Sequence, residues 1–183
     1  MFSMFRVAAF GTIIFFCIGA NAQGVPEHLQ AAIFYKVLAY DYNIQTKAGN
    51  EVSIAVLIDS KTSGKKQPLQ DGFNKLNGLD LNGKKIKVQV VQVSDSSLGD
   101  AASSDILYVP EGMDDKLIAS VLKLAVDKKR ATLGATESLA GKGCAIGLTV
   151  EDSKPKIVIN LKASQSQGMK LSSKVLSLAK VIQ

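Results

Sequence analysis

Tryptophan is absent from this 183-residue chain, histidine occurs once, cysteine twice and proline four times. A single imidazole, His28, excludes a histidine-rich metal centre, and two thiols exclude both a disulfide scaffold and a four-cysteine zinc site. Arginine is scarce as well: Arg6 and Arg130 are the only two, so the planar fork donors that suit phosphates and base edges are nearly missing. The aromatics Phe34, Tyr35, Tyr40 and Tyr42 form no basic stacking platform, and no nucleic-acid partner is expected. Beyond the first 22 residues no run approaches the ~20 apolar residues that span a bilayer. What remains is an ordinary globular composition, 46% apolar and 21% charged. At this length one domain can bury roughly 70% of its unfolded surface and needs no staple.

Residues 1–22 (MFSMFRVAAFGTIIFFCIGANA) read as an address. Arg6 supplies the positive start, Val7 to Ala20 the apolar stretch, and Ala20-Asn21-Ala22 the small-x-small site that signal peptidase accepts. The expectation is export with cleavage after Ala22, leaving 23–183 as one soluble domain that is not itself transmembrane. Cys17 does not mark a lipoprotein, because Phe16 stands where a small residue is required. Removal of this segment takes away Cys17 and Arg6 and keeps all 16 acidic residues, lowering the formal net charge of +6 by one. Cys144 is then the only thiol, so no intramolecular disulfide can form.

The rest of the chain alternates helical and extended patterns. Leu29, Ile33 and Val37 give a helix over about 26–43, opened by Pro26 in the first turn. Glu51–Ile58 is apolar on both faces, as in a parallel strand covered on both sides. A weaker helix (67–77) carries Leu69, Phe73 and Leu76. A strand with one wetter face (85–93) belongs nearer an edge, and 105–109 is a compact buried strand. Asp114 and Asp115 start a strong helix with Leu117, Ile118, Val121, Leu122 and Ala125 inward. A short strand over 131–135 is followed by a polar turn at 136–138. Residues 144–150 and 156–161 form a hairpin with a loop of about five residues, and a final helix over 166–182 carries Leu171, Val175, Leu178 and Ile182. The fold class is therefore α/β: a three-layer Rossmann-like sandwich, its sheet mostly parallel, with a late antiparallel hairpin and a C-terminal helix.

Catalytic chemistry finds little support. Cys144, in Gly141-Lys142-Gly143-Cys144, is the best nucleophile candidate, but the only base, His28, lies in the first turn of the exported chain. Cys144 reads first as a small core residue, and otherwise as a redox centre or an intermolecular disulfide. Gly141-x-Gly143 lacks the rest of a dinucleotide or phosphate-loop motif. The acidic pairs Asp114-Asp115 and Glu151-Asp152 suit helix starts and turns better than metal binding. The lysines are spread along the chain as solvated faces. No cofactor and no enzyme activity are expected.

The ending Lys156-Ile157-Val158-Ile159-Asn160-Leu161, Ala163, Gly168-Met169-Lys170, then Leu171-Ser172-Ser173-Lys174-Val175-Leu176-Ser177-Leu178-Ala179-Lys180-Val181 resembles the YfiR family of periplasmic proteins. Ala31 to Lys36, Val52 to Leu57, Asp105 to Val109 and Gly143 to Leu148 resemble earlier family segments in the same order. Two departures stand out: the family's Trp-Pro after the first helix is replaced by Tyr42-Asn43-Ile44, and its frequent cysteine before the third strand is Asp105. The resemblance implies a Rossmann-like fold, often dimeric, and a regulator that holds the periplasmic sensor domain of an inner-membrane diguanylate cyclase inactive, restraining cyclic di-GMP and biofilm growth. With Cys144 alone, a redox switch between paired cysteines does not carry over. Within the signature, Leu171, Val175, Leu178 and Ile182 are expected to cover one sheet face, with Ser172 and Ser173 small enough for close packing. The alternative is a periplasmic small-ligand sensor or carrier of the same fold. Open α/β sheets bind ligands at the carboxyl ends of their strands, so Asp59, Ser60, Ser94, Ser96, Glu111 and Met113 would rim such a site.

Overall fold

The computed structural model describes residues 24–47, 49–94 and 97–183. The leader reading of residues 1–22 and the candidate Ser96 lie outside them. Helix α1 (Glu27–Leu38) and the short α2 (Tyr42–Thr46) precede β1 (Glu51–Ile58). Helix α3 (Lys66–Asn74) leads to β2 (Asp80–Leu81) and β3 (Lys84–Gln92). Then come β4 (Ile106–Val109), α4 (Asp115–Lys128), β5 (Ala131–Gly134), α5 (Glu137–Lys142) and β6 (Ile146–Glu151). The chain ends with β7 (Lys154–Asn160), α6 (Leu161–Ser166), α7 (Ser173–Leu178) and β8 (Lys180–Ile182). Among the described residues no helix is long and apolar enough to cross a membrane.

Among the described residues eight strands join one mixed sheet in the order β2-β3-β1-β4-β5-β6-β7-β8. It is mostly parallel; only β2–β3 and β6–β7 are antiparallel. β1 is central and has the composition that a central strand needs: Val52, Ile54, Ala55, Val56 and Leu57 are all fully buried, whichever face they point to. Succession reverses on either side of it, since the next strand, β3, lies on one side and β4 on the other. That reversal opens a crevice at the carboxyl ends of β1 and β4, the place where doubly wound sheets bind ligands. Phe34 of α1 and Phe73 of α3 pack against Tyr108 of β4, with ring centroids 6.1 and 4.4 Å away.

Four sequence expectations need correction. The first helix stops at Leu38, and Asp41 restarts the chain as α2 by accepting the Asn43 N–H. Residues 136–138, expected as a polar turn, instead begin helix α5 (Glu137–Lys142), which Thr136 caps and Gly143 ends at φ +119°. The hairpin loop is two residues, not five: Asp152 and Ser153 both have positive φ, the geometry whose twist matches the strands it joins.

The fourth concerns the C-terminus, where no single helix over 166–182 forms. Gly168, at φ +82°, ends α6. The next residues run extended against the α1–α2 junction, with Lys170 N–H on the Asp41 carboxylate and Ser172 N–H on Tyr40 O. Helix α7 therefore has only six residues, and Lys180–Ile182 pairs with β7 as an edge strand. Val175 is buried as expected, but Leu178 is 64% exposed. Ser172 is buried and its hydroxyl has no hydrogen-bond partner, so its contribution there is small size.

Candidate functional site

The crevice between β1 and β4 is closed by the protein's own side chains. Asp59 follows β1 and is buried. Its carboxylate accepts hydrogen bonds from the Thr62 N–H at 2.8 Å, the Thr62 hydroxyl at 2.6 Å and the Asp114 N–H at 2.8 Å. Burial works against its charge, but these donors outweigh it and hold the carboxyl below its ordinary range. Asp59 thus ties the end of β1 to the start of α4. Above it Lys61 pairs with Asp114, and Lys65 donates to Glu111 O. From the other side, Gly24–Pro26 folds in. Gln30 donates to Val25 O at 2.6 Å and accepts the Tyr108 hydroxyl at 2.8 Å.

The cavity beside this closure lies over the ends of β4 and β5, lined by Tyr108, Pro110, Glu111, Ala135 and Thr136 among others. It measures about 150 Å³, against the several hundred that a metabolite site needs. Of the expected rim, only Glu111 lines it. Asp59 and Met113 are buried, Ser60 is exposed, and Ser94 lies at the end of β3, bridged to Ser97.

Cys144 sits at the entrance to β6 with no exposed surface. Burial pushes its thiol up to about 12, slightly opposed by Thr132. At pH 8 only about one sulfur in ten thousand would be ionised. Native protein should therefore react with a thiol reagent at least about a hundredfold more slowly than denatured protein. Equal rates would show that the sulfur reaches solvent. His28 is exposed near the start of α1, over a hundred residues from Cys144 in sequence.

A charged cluster that sequence reading did not foresee lies at the opposite, amino-terminal ends of the strands. Asp105 precedes β4. One of its oxygens accepts the Ser53 N–H and hydroxyl at 2.9 and 2.8 Å. The other meets the Arg130 guanidinium at 3.0 Å and the Lys47 ammonium. Burial disfavours the charged carboxylate, but Lys47 and Ser53 outweigh it and its titration point falls below the ordinary 3.8.

A carboxyl lowered on folding contributes stability that is complete above its unfolded value and is lost as pH falls through its folded one. Asp105→Asn is expected to be less stable than the parent at pH 7 and to lose less on going from pH 5 to pH 3, read from urea midpoints. Parallel losses in the two proteins would remove this role.

Two buried amides organise the far half of the sheet. Gln167 accepts from the Thr132 N–H and hydroxyl and donates to Gly143 O. Asn160 caps α6 through the Ala163 N–H and donates to Ala140 O. Beside them a shallow groove of about 610 Å³ runs between α4 and α6, lined by Leu122, Val126, Lys142 and Lys162 among others. Among the described residues no group of three or more His, Cys, Asp or Glu is placed to hold a metal ion.

A profile of the YfiR/HmsC-like family matches residues 27–180. A comparison with curated proteins finds no match. Among solved structures, a conserved domain protein from Vibrio cholerae O1 biovar El Tor is similar at TM-score 0.57 and 16% identity. The match covers 86% of this chain and 60% of that one. An ABC domain in complex with L-Trp from Streptococcus pneumonia gives 0.54 and 16%, over 86% and 60%. The ligand-free, open form of CD0873, a substrate binding protein with adhesive properties from Clostridium difficile, gives 0.50 and 18%, over 72% and 54%. The chain spans no more than three fifths of these neighbours, and the likeness is one of fold.

Proposed function

This chain belongs to the YfiR/HmsC-like family, and from that premise we propose that it is a non-enzymatic regulator acting in the periplasm. Exported on residues 1–22 and released after Ala22, it docks on the outer sensor domain of an inner-membrane diguanylate cyclase and holds that enzyme inactive. The family match over residues 27–180 carries this reading. The leader pattern supports the compartment. The packing of α1 and α3 on Tyr108 supplies one helical layer of the three-layer, Rossmann-like sandwich that belongs to this reading, in which residues 23–183 form one domain. Two copies acting together is part of the same proposal.

The mechanism is differential binding. A regulator moves a two-state partner only by the difference between its affinities for the two states, and a swing from 1:99 to 99:1 needs about 10⁴-fold. Deletion of the gene should therefore raise cyclic di-GMP, and the tagged protein should recover a cyclase from envelope extracts. Unchanged nucleotide with no cyclase recovered would reject the reading.

A second reading, a small-ligand sensor, is favoured by the neighbours described as an L-Trp complex and a substrate binding protein. The small size of the 150 Å³ cavity beside the switch point speaks against it there. A ligand at a hundred times its Kd should stabilise the fold by about 2.7 kcal/mol, so a thermal-shift screen without a hit would end it.

A further inference from the structure

The β6–β7–β8 end of the sheet separates charge from apolar surface. On one side Lys156 and Lys180 are held by Glu151 and Glu137. On the other, register sets Val150 opposite Pro155, Leu148 opposite Ile157 and Val181 beside Ile159. This apolar side is only partly covered, by α1 along its flank and α7 at its end. Two shallow hollows lie along this side, about 450 Å³ beside Leu29 and Val150 and about 360 Å³ beside Tyr40 and Leu178. They share no lining residue, but α1 flanks both and Pro155 and Ile157 of β7 line one each, so that together they make a trough of two lobes. Leu29, Val150 and Leu178 all line it, at 42, 43 and 64% exposure, three of the seven exposed large apolar side chains among the described residues.

The two lobes differ in charge. Lys36 lines the α7 lobe, and the Lys174 ammonium stands 5.4 Å from the centre of the Tyr40 ring. Glu27 lines the other lobe, close to the hairpin turn that carries Asp152.

We propose that this trough receives a single amphipathic helix of about three turns from the partner protein, its acidic end against Lys36 and Lys174. The inference rests on the docking reading above and specifies where docking occurs. Three observations select this occupant. Along α1 from Leu29 to Leu38 the flank rises about 14 Å, and Ala39 and Tyr40 carry it past the helix end, room for a helix of nearly three turns. The surface is concave, so a second copy related by a twofold axis would set hollow against hollow and leave a void where protein interfaces are close-packed. The cationic lobe favours a carboxylate-bearing helix end, and the negative end of the helix dipole adds to that preference.

The probe is the purified outer domain of the cyclase recovered with this protein, immobilised and titrated with the wild-type protein, Leu178→Glu, Lys36→Glu/Lys174→Glu and Leu79→Glu. Leu79 is exposed and does not line the trough. Leu178→Glu should weaken binding about tenfold or more. The double lysine variant should weaken it and flatten its salt dependence, while Leu79→Glu should bind as the wild type does. Normal binding by Leu178→Glu, with a circular dichroism spectrum matching the wild type, would overturn the trough and leave the regulatory role standing. Failure of the wild-type protein to bind any cyclase domain would overturn both. Sedimentation that finds a wild-type dimer made monomeric by Leu178→Glu would assign the trough to self-association and overturn the helix.

Discussion

Gly147→Ala should destabilise the protein by about 3 kcal/mol or more, lowering its melting temperature by roughly 10 °C. A methyl group at position 147 would lie 2.5 Å from Thr136 O and 2.9 Å from the Ala140 Cβ. The obstacle is largely backbone, so no side chain can swing aside to make room. Thr136 is also the cap of α5, and Gly147 is what lets that helix lie directly on β6. The matched control is Gly141→Ala in α5, where nothing stands within 4 Å of the added carbon. Replacing a helical glycine at an open site should stabilise by about 0.5–1 kcal/mol. Opposite signs for two identical substitutions six residues apart, read by thermal melting, are the expected result. Two losses, or two gains, would mean that α5 does not press on β6 as described.

Phe73→Ala should cost about 3–5 kcal/mol, the range for emptying a fully buried aromatic site. Phe73 is 0% exposed, and its ring is tilted 52° against Tyr108 at 4.4 Å. Tyr108 also carries the edge contact with Phe34 and the hydrogen bond to Gln30, which holds Val25. The loss should reach beyond α3, with amide exchange rising in α1 and at residues 24–30. Tyr108→Phe keeps the ring and removes only the hydroxyl, leaving the Gln30 oxygen buried without that donor, for about 1–2 kcal/mol. A loss under 1 kcal/mol for Phe73→Ala would show that the cluster collapses on itself or never formed.

How far this architecture can be read from sequence depends on how local its causes are. β1 is legible because six of its eight residues, Val52 and Ile54–Ile58, are apolar and fall on both faces. Helix α4 is legible because its apolar residues keep helical spacing between an Asp114 cap and a cationic end. Helix α5 is too short for periodicity to register; the usable signal was the pair Thr136 and Gly143, a side-chain cap and a left-handed stop seven residues apart. The break in the C-terminal segment carried a comparable mark in Asn160 and Gly168, the cap and left-handed stop of α6, but the apolar periodicity beyond them pointed the other way. Leu171, Val175, Leu178 and Ile182 keep helical spacing, but Lys170 and Ser172 are pulled out by hydrogen bonds to residues more than a hundred positions earlier.

The same holds for function-bearing geometry. Asp105 stood out only as a departure from the family's cysteine. Its meaning comes from Ser53 and Arg130, 52 and 25 residues away. The expected ligand rim came from the rule about strand ends; that Gly24–Pro26, Lys65 and the Tyr108–Gln30 pair lie beside it is a matter of long-range packing that sequence does not show. The trough between α1 and the hairpin was also hidden, because lateral coverage of a sheet is a property of topology and not of any one segment.

The sheet is bounded by two very short strands, β2 with two residues at one end and β8 with three at the other. Lys180 in β8 bears a charge that would have to be accommodated in any further pairing. β2 covers β3 only at Lys84 and Lys85, and β8 covers β7 only from Val158 to Asn160. Most of β3 and the start of β7 therefore face outward, where Lys87 and Lys154 set charge against main-chain pairing with another copy. Charge at such a margin opposes backbone seams and leaves recognition to side chains, which can discriminate between partners in a way that a repeating backbone cannot.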